Sequence, residues 1–254
     1  MNFKTAITRK PGADFAAGIT SVTWNRPPDY ALICRQHQAY VDTLKRLGLE
    51  VVVLDPEPGL PDAYFVEDSA VILGGTAVVT RPGANARMGE AQKIAPVLGE
   101  FIRVESIRPP GLLDGGDVMV AGGHVFIGIS GRSNQEGARQ LGALATRLGF
   151  SWSTLPVLKA LHLKSGVNPI GRNTLLMCRE YALRPEFNSY DKIFVDEDEL
   201  PAANTLWVNG ALLTPAGHPC TLQKLTSLGM PLIELDVSEV IKMDGGLSCL
   251  SLRF

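Results

Sequence analysis

Four cysteines in 254 residues (Cys34, Cys178, Cys220 and Cys249) are too few for a disulfide scaffold, and no Cys-x-x-Cys pair is present to hold zinc. The four histidines include no two at metal-ligand spacing. Neither sign of charge dominates: 24 basic and 26 acidic residues leave a net charge of −2, so no global field would draw the chain to nucleic acid or to an anionic membrane. Long apolar runs are also missing. Stretches such as Val51-Val52-Val53-Leu54 are strand-length, far short of the ~20 residues that span a bilayer. The first ten residues lack the apolar core of a signal peptide. Neither Gly-x-Gly-x-x-Gly nor Gly-x-x-x-x-Gly-Lys-[Ser/Thr] occurs, and Gly115-Gly116 precedes a strand pattern, not a helix start. These absences leave a cytoplasmic protein with a small-molecule partner as the expectation, without nucleic acid or membrane.

What the chain does contain is an internal repeat: two short strands around a Gly turn, an amphipathic helix, then another short strand. The clearest copy starts at Asp117. Val118-Met119-Val120-Ala121, Gly122-Gly123 and His124-Val125-Phe126-Ile127-Gly128 form a hairpin pattern, because apolar runs flank a dipeptide suited to positive φ. The segment 133–148 then puts Ala138, Leu141, Leu144, Ala145 and Leu148 on one helical face, and a strand near 153–157 ends the unit. A second copy opens at Glu67-Asp68, turns at Gly74-Gly75 and leads to a helix carrying Ile94, Leu98, Phe101 and Ile102. Looser copies begin near His162 and Asn204. The fifth is split between a strand over 247–254 and another over 3–8, whose pairing would close a ring. The unit marks Glu67, Asp117, His162, Asn204 and Cys249 lie 42 to 50 residues apart. That is a β-propeller spacing, yet an all-β blade has no place for the helix. The expected fold is therefore α/β, five ββαβ modules around a pseudo-fivefold axis, with residues 1–254 as one domain.

In a cyclic array the first polar residues of each unit converge at one end of the ring. The converging set contains Glu67, Asp68, Asp114, Asp117, His162 and Cys249, which suffices for covalent catalysis on a cationic substrate. A free cysteine is most often a small buried hydrophobe, and that role suits Cys34 in the helical segment 30–47 and Cys178 after a strand. Cys220 sits in a turn entering a helix. Cys249 differs by its repeat position and by the Gly245-Gly246 pair, which lets a ligand approach the backbone. Among the histidines, His37 falls on an apolar stripe, His124 at a hairpin tip and His218 in a turn; only His162 opens a repeat unit. The carboxylates can accept backbone hydrogen bonds, or grip a guanidinium, whose planar fork of donors matches them.

The chain carries Pro61-Asp62-Ala63-Tyr64-Phe65-Val66-Glu67-Asp68, Thr80-Arg81-Pro82-Gly83, Leu113-Asp114-Gly115-Gly116-Asp117, Arg132-Ser133-Asn134-Gln135-Glu136-Gly137-Ala138, Leu161-His162-Leu163-Lys164-Ser165-Gly166 and Asp244-Gly245-Gly246-Leu247-Ser248-Cys249. Taken together, these motifs resemble the dimethylarginine dimethylaminohydrolase family of the guanidino-group-modifying superfamily. The resemblance covers nearly the whole chain and implies a five-bladed, pentein-like α/β propeller. It also implies Cys249 as nucleophile, His162 as acid and base, and Asp114, where some relatives have Glu, as the third catalytic group. Substrate contacts would fall on Ile19, Asp62, Glu67, Asp68, Arg87 and Arg132, the two arginines toward the amino-acid end. The implied reaction releases dimethylamine and citrulline through an S-alkylthiouronium intermediate. No cofactor is expected to be required, an inhibitory zinc ion on Cys249 is compatible with this set, and a homodimer is admitted. Related deiminases carry His-x-Asp where this chain has His162-Leu163-Lys164, which leaves one guanidinium edge less tightly gripped. The rivals are a hydrolase of arginine, agmatine or hydroxyarginine with the same fold, and a catalytically silent amino-acid-binding protein.

Overall fold

A computed structural model describes residues 2–254. It contains five three-stranded sheets. The first, interrupted, module holds β1 (Thr5–Arg9), the helix Tyr30–Arg46 and β2 (Glu50–Leu54). The second runs through β3 (Ala70–Leu73), β4 (Thr76–Val79), the helix Met88–Gly99 and β5 (Arg103–Ser106). The third contains β6 (Val118–Ala121), β7 (His124–Ile129), the helix Gln135–Arg147 and β8 (Ser151–Pro156). The fourth has β9 (Val167–Pro169), β10 (Thr174–Met177) and β11 (Asp191–Phe194). The fifth has β12 (Leu206–Val208), β13 (Ala211–Pro215), the helix Pro219–Thr226 and β14 (Leu232–Leu235). Finally β15 (Leu252–Arg253) returns to β1, pairing Ala6 with Arg253 and Ile7 with Leu252.

Every sheet repeats one pattern: an antiparallel pair, then a third strand parallel to the middle one. A parallel partner requires a crossover, and the amphipathic helices supply it. Helix Tyr30–Arg46 starts on Asp29, whose side chain accepts the Leu32 N–H, and buries Ile33, Tyr40 and Leu44. Helix Gln135–Arg147 starts on Asn134 in the same way and buries Ala138, Leu141, Leu144 and Ala145. The sequence-derived modules are thus present in the order expected. The fourth departs from ββαβ. Its crossover is two short 3₁₀ turns, Arg179–Tyr181 and Pro185–Phe187, anchored by the buried Tyr181 and Phe187. The helix expected to carry Phe101 and Ile102 stops at Gly99, which leaves both residues in the connection to β5.

One difference matters for function. The strand predicted over 247–254 is confined to Leu252–Arg253, while Ser248–Leu250 forms a 3₁₀ turn. The amides there have acceptors outside any ladder: Ser248 donates to Asn204 Oδ1, from another module, and Cys249 to the nearby Gly246 carbonyl. Equivalent single turns, Val66–Ser69, Gly115–Asp117 and Leu163–Gly166, precede β3, β6 and β9. Residues read from sequence as strand beginnings therefore sit on or immediately before helical turns. Among the described residues, no helix is long and apolar enough to cross a membrane.

Candidate active site

The turns that precede the first strands bring Asp68, His162 and Cys249 to one cleft. Ile19, Asp62, Phe65, Arg87, Arg132, Leu161, Met243, Asp244 and Gly245 complete its lining. Asp114 stands behind His162, fully buried, and accepts from the imidazole Nε2 at 3.0 Å. Its second oxygen accepts the Gly83 N–H at 2.9 Å, and its own N–H donates to Ser133 Oγ at 3.0 Å. Gly83 must lack a side chain, because a Cβ there would collide with the Arg132 backbone. This explains why the motif around Gly83 belongs to the site although none of its four residues faces the cleft.

Asp117, also fully buried, supports His162 from the chain side. It accepts the Leu163 N–H at 3.0 Å, and the hydroxyls of Ser130 and Ser133 donate to its other oxygen at 2.6 Å each. On the remaining side, Asp68 Oδ1 lies 3.8 Å from His162 Nδ1. Gly116 fits between them, and a Cβ at that position would overlap both groups. Burial by itself would push the imidazole down, but Asp68, Asp114 and Asp117 outweigh it and hold His162 at about 9. The imidazole is therefore protonated at neutral pH. Asp68 moves the opposite way: burial would raise it, and the His162 and Arg87 charges more than offset that, so it stays ionised.

Cys249 experiences the reverse environment. Burial, then the nearby Glu67 and Asp68 charges, push its thiol up to about 12. The side-chain donor near its sulfur is Asn204 Nδ2, at 4.0 Å, while Asn204 Oδ1 holds the Ser248 amide. Asn204 marked a repeat unit in the sequence but was not read as part of the site; its repeat position was the signal.

The two arginines differ sharply. Arg87 is buried and fully engaged: Nη1 donates to Asp68 at 2.6 Å, and Nε and Nη2 donate to Glu90 at 2.9 and 2.7 Å. The guanidinium of Arg132, half-buried, makes no hydrogen bond or ion pair among the described residues. Glu67 does not line the cleft. Its carboxylate accepts from Ser248 Oγ at 2.7 Å, Lys164 Nζ at 2.7 Å and Arg253 Nη2 at 3.3 Å on the far side of Cys249. Lys164 thus spends its charge on Glu67.

Over the cleft lies the segment after Phe15. Asp62 accepts the Ile19 N–H at 3.0 Å, Thr20 Oγ and the Trp24 indole N–H both donate to the Lys242 carbonyl, and Asp244 accepts from Ser21. Asp244 holds φ at +58°, an uncommon left-handed conformation for a non-glycine residue, immediately before the two glycines. Sequence reasoning missed Phe65, Met243 and Asp244 as lining residues. Among the described residues, Asp68, Asp114 and His162 place potential metal-ligand atoms within 4.8 Å of one another.

A thiol, a protonated imidazole on a buried carboxylate, two further carboxylates and an uncommitted arginine form a site suited to a cationic amino acid. The family described as N,N dimethylarginine dimethylhydrolase, eukaryotic, matches residues 28–189. The N(G),N(G)-dimethylarginine dimethylaminohydrolase of Pseudomonas aeruginosa is 41% identical over 254 residues, covering 99% of this chain and 100% of the relative. The protein of the same name from Streptomyces coelicolor is 33% identical over 255 residues, covering 100% of this chain and 98% of the relative. A solved structure of the Pseudomonas aeruginosa protein, a Cys-to-Ser variant complexed with citrulline, matches with a TM-score of 0.97 over 100% of both chains at 41% identity. The N-terminal domain of an arginine dihydrolase from cyanobacteria, at 20% identity, shares the fold with a TM-score of 0.84, over 100% of this chain and 97% of that one.

Proposed function

The chain belongs to the dimethylarginine dimethylaminohydrolase family, and from that membership we propose that Cys249, His162 and Asp114 carry the reaction while Asp62, Asp68 and Arg132 hold the substrate. The protein hydrolyses Nω,Nω-dimethyl-L-arginine to L-citrulline and dimethylamine. Monomethylarginine is proposed as a second substrate, with methylamine as product. The observation that best supports the residue assignment is the shared cleft of Cys249 and His162, with His162 hydrogen-bonded to a fully buried Asp114.

The electrostatics suggest the order of events. In the free protein the thiol is neutral and the imidazole is cationic at pH 7. A guanidinium bound beside Asp68 and Asp62 adds positive charge near Sγ, which favours the thiolate, and the thiol proton leaves to solvent because His162 is already protonated. Thiolate attack on the guanidinium carbon forms a tetrahedral adduct. As this collapses, the C–N bond to dimethylamine breaks and His162 gives that nitrogen its proton. The S-alkylthiouronium left on Cys249 is then attacked by water, whose proton the now neutral imidazole accepts. A second collapse breaks the C–S bond, the hydroxyl proton of the adduct passes to the departing sulfur, and citrulline and the Cys249 thiol are freed. Asp114 keeps the ring oriented and stabilises its charged form; the Asp present here also takes the Gly83 amide.

Ile19, exposed at the lip, would cover the bound amino acid, and Arg87 would act on the substrate indirectly by fixing Asp68. Glu67, committed to Lys164 and Ser248, would contribute its charge from behind Cys249. No cofactor is needed for any step. A zinc ion captured by Cys249 and His162 would inhibit by occupying both the nucleophile and the proton donor. A reducing cytoplasm suits the free thiol.

Offering a panel of arginine, agmatine, hydroxyarginine, monomethylarginine and dimethylarginine, and identifying both products, tests the substrate assignment. Citrulline with stoichiometric dimethylamine from dimethylarginine is the expected result; ammonia from arginine at a higher kcat/KM would transfer the chain to the deiminase rival. Arg132 gives a second test. A guanidinium fork for the substrate carboxylate is not reproduced by an ammonium, so Arg132→Lys should lower kcat/KM about 10- to 100-fold, mainly through KM. Unchanged kinetics for both Arg132→Lys and Arg132→Ala would move the carboxylate site elsewhere.

A further inference from the structure

The first turn of the helix Met88–Gly99 carries a carboxylate that reaches the cleft only through another side chain. Glu90 is buried, and both of its oxygens are spent on Arg87: Oε1 accepts from Nε at 2.9 Å and Oε2 from Nη2 at 2.7 Å. Nη2 also donates to the Asp62 and Phe65 carbonyls, at 3.3 and 3.4 Å. With that edge of the guanidinium held, Nη1 is left to meet Asp68 Oδ2 at 2.6 Å, while the Gly116 amide donates to Oδ1 at 2.9 Å. Arg9, a second buried cation whose charge is felt at Glu90, has its own acceptors in Glu57 and the Asp55 carbonyl.

A guanidinium gripped by a carboxylate on two donors cannot turn freely, so the direction from which Asp68 is held is set by Glu90. Charge follows the same chain of contacts. Asp68 and Arg87 alone sum to zero, and a neutral pair beside the His162 imidazolium offers little to a cationic ligand. Glu90 returns the set to −1 from a place where it cannot touch the ligand, since Asp68 and Arg87 line the cleft and Glu90 does not. Burial raises Glu90 to about 7 against the pull of Arg87, with Asp68 and Asp62 adding to the rise, so its charge is established above neutrality. Stability alone does not account for this carboxylate, because a buried ion pair generally stabilises a fold no better than apolar groups of the same volume.

We propose that Glu90 is a positioning residue for guanidinium recognition, orienting Arg87 and offsetting its charge so that Asp68 is both fixed in place and anionic toward the substrate. The role rests on the proposed function, in which Asp68 holds the substrate guanidinium. It concerns the charge of the ligand more than its shape. Citrulline carries a neutral ureido group in place of the guanidinium and therefore takes little benefit from Glu90.

The test is calorimetric titration of dimethylarginine and of citrulline into Cys249→Ser protein, with and without Glu90→Gln, at a pH above the value at which Glu90 titrates. Gln preserves length and leaves no charge and a single acceptor oxygen. Dimethylarginine should bind at least about tenfold more weakly to the Glu90→Gln protein, and citrulline less than about threefold more weakly. Glu90→Asp, which keeps the charge and loses one methylene, should recover part of the dimethylarginine affinity. In protein that retains Cys249, kcat/KM should fall in the order Glu, Asp, Gln, chiefly through KM. Equal weakening of the two ligands, or unchanged dimethylarginine affinity, would overturn the proposal, as would Glu90→Asp binding dimethylarginine no better than Glu90→Gln. Should Glu90→Gln fail to fold, Glu90→Asp set against the parent carries the comparison, with a greater loss for dimethylarginine than for citrulline as the expected result and equal losses as the overturning one. Asp68→Asn in the same background reads the underlying assignment separately: unchanged dimethylarginine affinity there would remove Asp68 from guanidinium binding, and the role of Glu90 with it.

Discussion

Cys249→Ser is expected to lose turnover of dimethylarginine by a factor on the order of 10⁴ or more, with the fold and much of the ligand affinity retained. The substitution exchanges one small buried group for another of similar shape, so packing of the turn Ser248–Leu250 changes little. The chemistry changes completely. A thiol held at about 12 is still within reach of ionisation when a cation binds beside it, whereas a serine hydroxyl is not. The same argument assigns a pH signature to the wild-type protein. Alkylation of free Cys249 by iodoacetamide should be slow at pH 7 and rise as pH climbs toward the raised thiol value. Activity measured on purified Cys249→Ser protein, with contaminating wild type excluded by peptide mass, decides the point: near-normal turnover would remove Cys249 as nucleophile.

His162→Gly separates two duties of one imidazole. Departure of dimethylamine needs a proton, and hydrolysis of the thiouronium needs a base, so steady-state turnover of dimethylarginine should fall about 10²- to 10⁴-fold or further. Attack by an ionised thiol needs neither. An activated guanidine analogue whose leaving group requires little protonation should therefore alkylate Cys249 in the variant and stall there. Acid quench followed by mass spectrometry of the Cys249 peptide reads the adduct directly. Rapid turnover of the activated analogue by His162→Gly, with no adduct at any time, would show that another residue activates water. The surroundings of His162 also fix the direction of its own titration. Three carboxylates raise it above its ordinary value, so the proton donor is present below about 9 and is lost as pH rises through that value. The leaving-group step of the wild-type protein should slow over the same interval.

The geometry also explains how a deeply buried imidazolium is tolerated. A charge without partners at that depth would be expelled from the folded state or neutralised. Here Asp114 accepts from it, Asp68 faces its other nitrogen, and Asp117 adds charge while fixing the backbone of Leu163. The carboxylates are held in turn by Gly83, Gly116, Ser130 and Ser133. The cleft-lining His162 and Asp68 are thus the inner members of a larger hydrogen-bonded assembly, and the outer members are short side chains and glycines whose sequence signal is weak when each is taken alone.

Much of this was legible in the chain itself, because it is carried by local rules. Period-2 apolar runs around Gly74-Gly75 and Gly122-Gly123 specify hairpins, and the period-3.6 patterns within 30–47 and 133–148 specify the crossovers. Their recurrence every 42 to 50 residues identifies a cyclic array, which in turn singles out His162 and Cys249 among four histidines and four cysteines. Tertiary structure decided the rest, since it depends on which side of a turn a residue faces. Adjacent residues Glu67 and Asp68 look alike in sequence, yet one pairs with Lys164 behind Cys249 and the other faces His162 in front. Arg87 and Arg132 carry the same charge, but only the buried Glu90 and Asp68 distinguish a committed guanidinium from a free one. Asn204 reaches Cys249 from 45 positions away through a side chain whose partners no periodicity reveals. Hydrophobic pattern and turn chemistry act through a few neighbouring residues and so can be read along the chain; the partners of a buried charge come from several modules at once and exist only after the ring has closed.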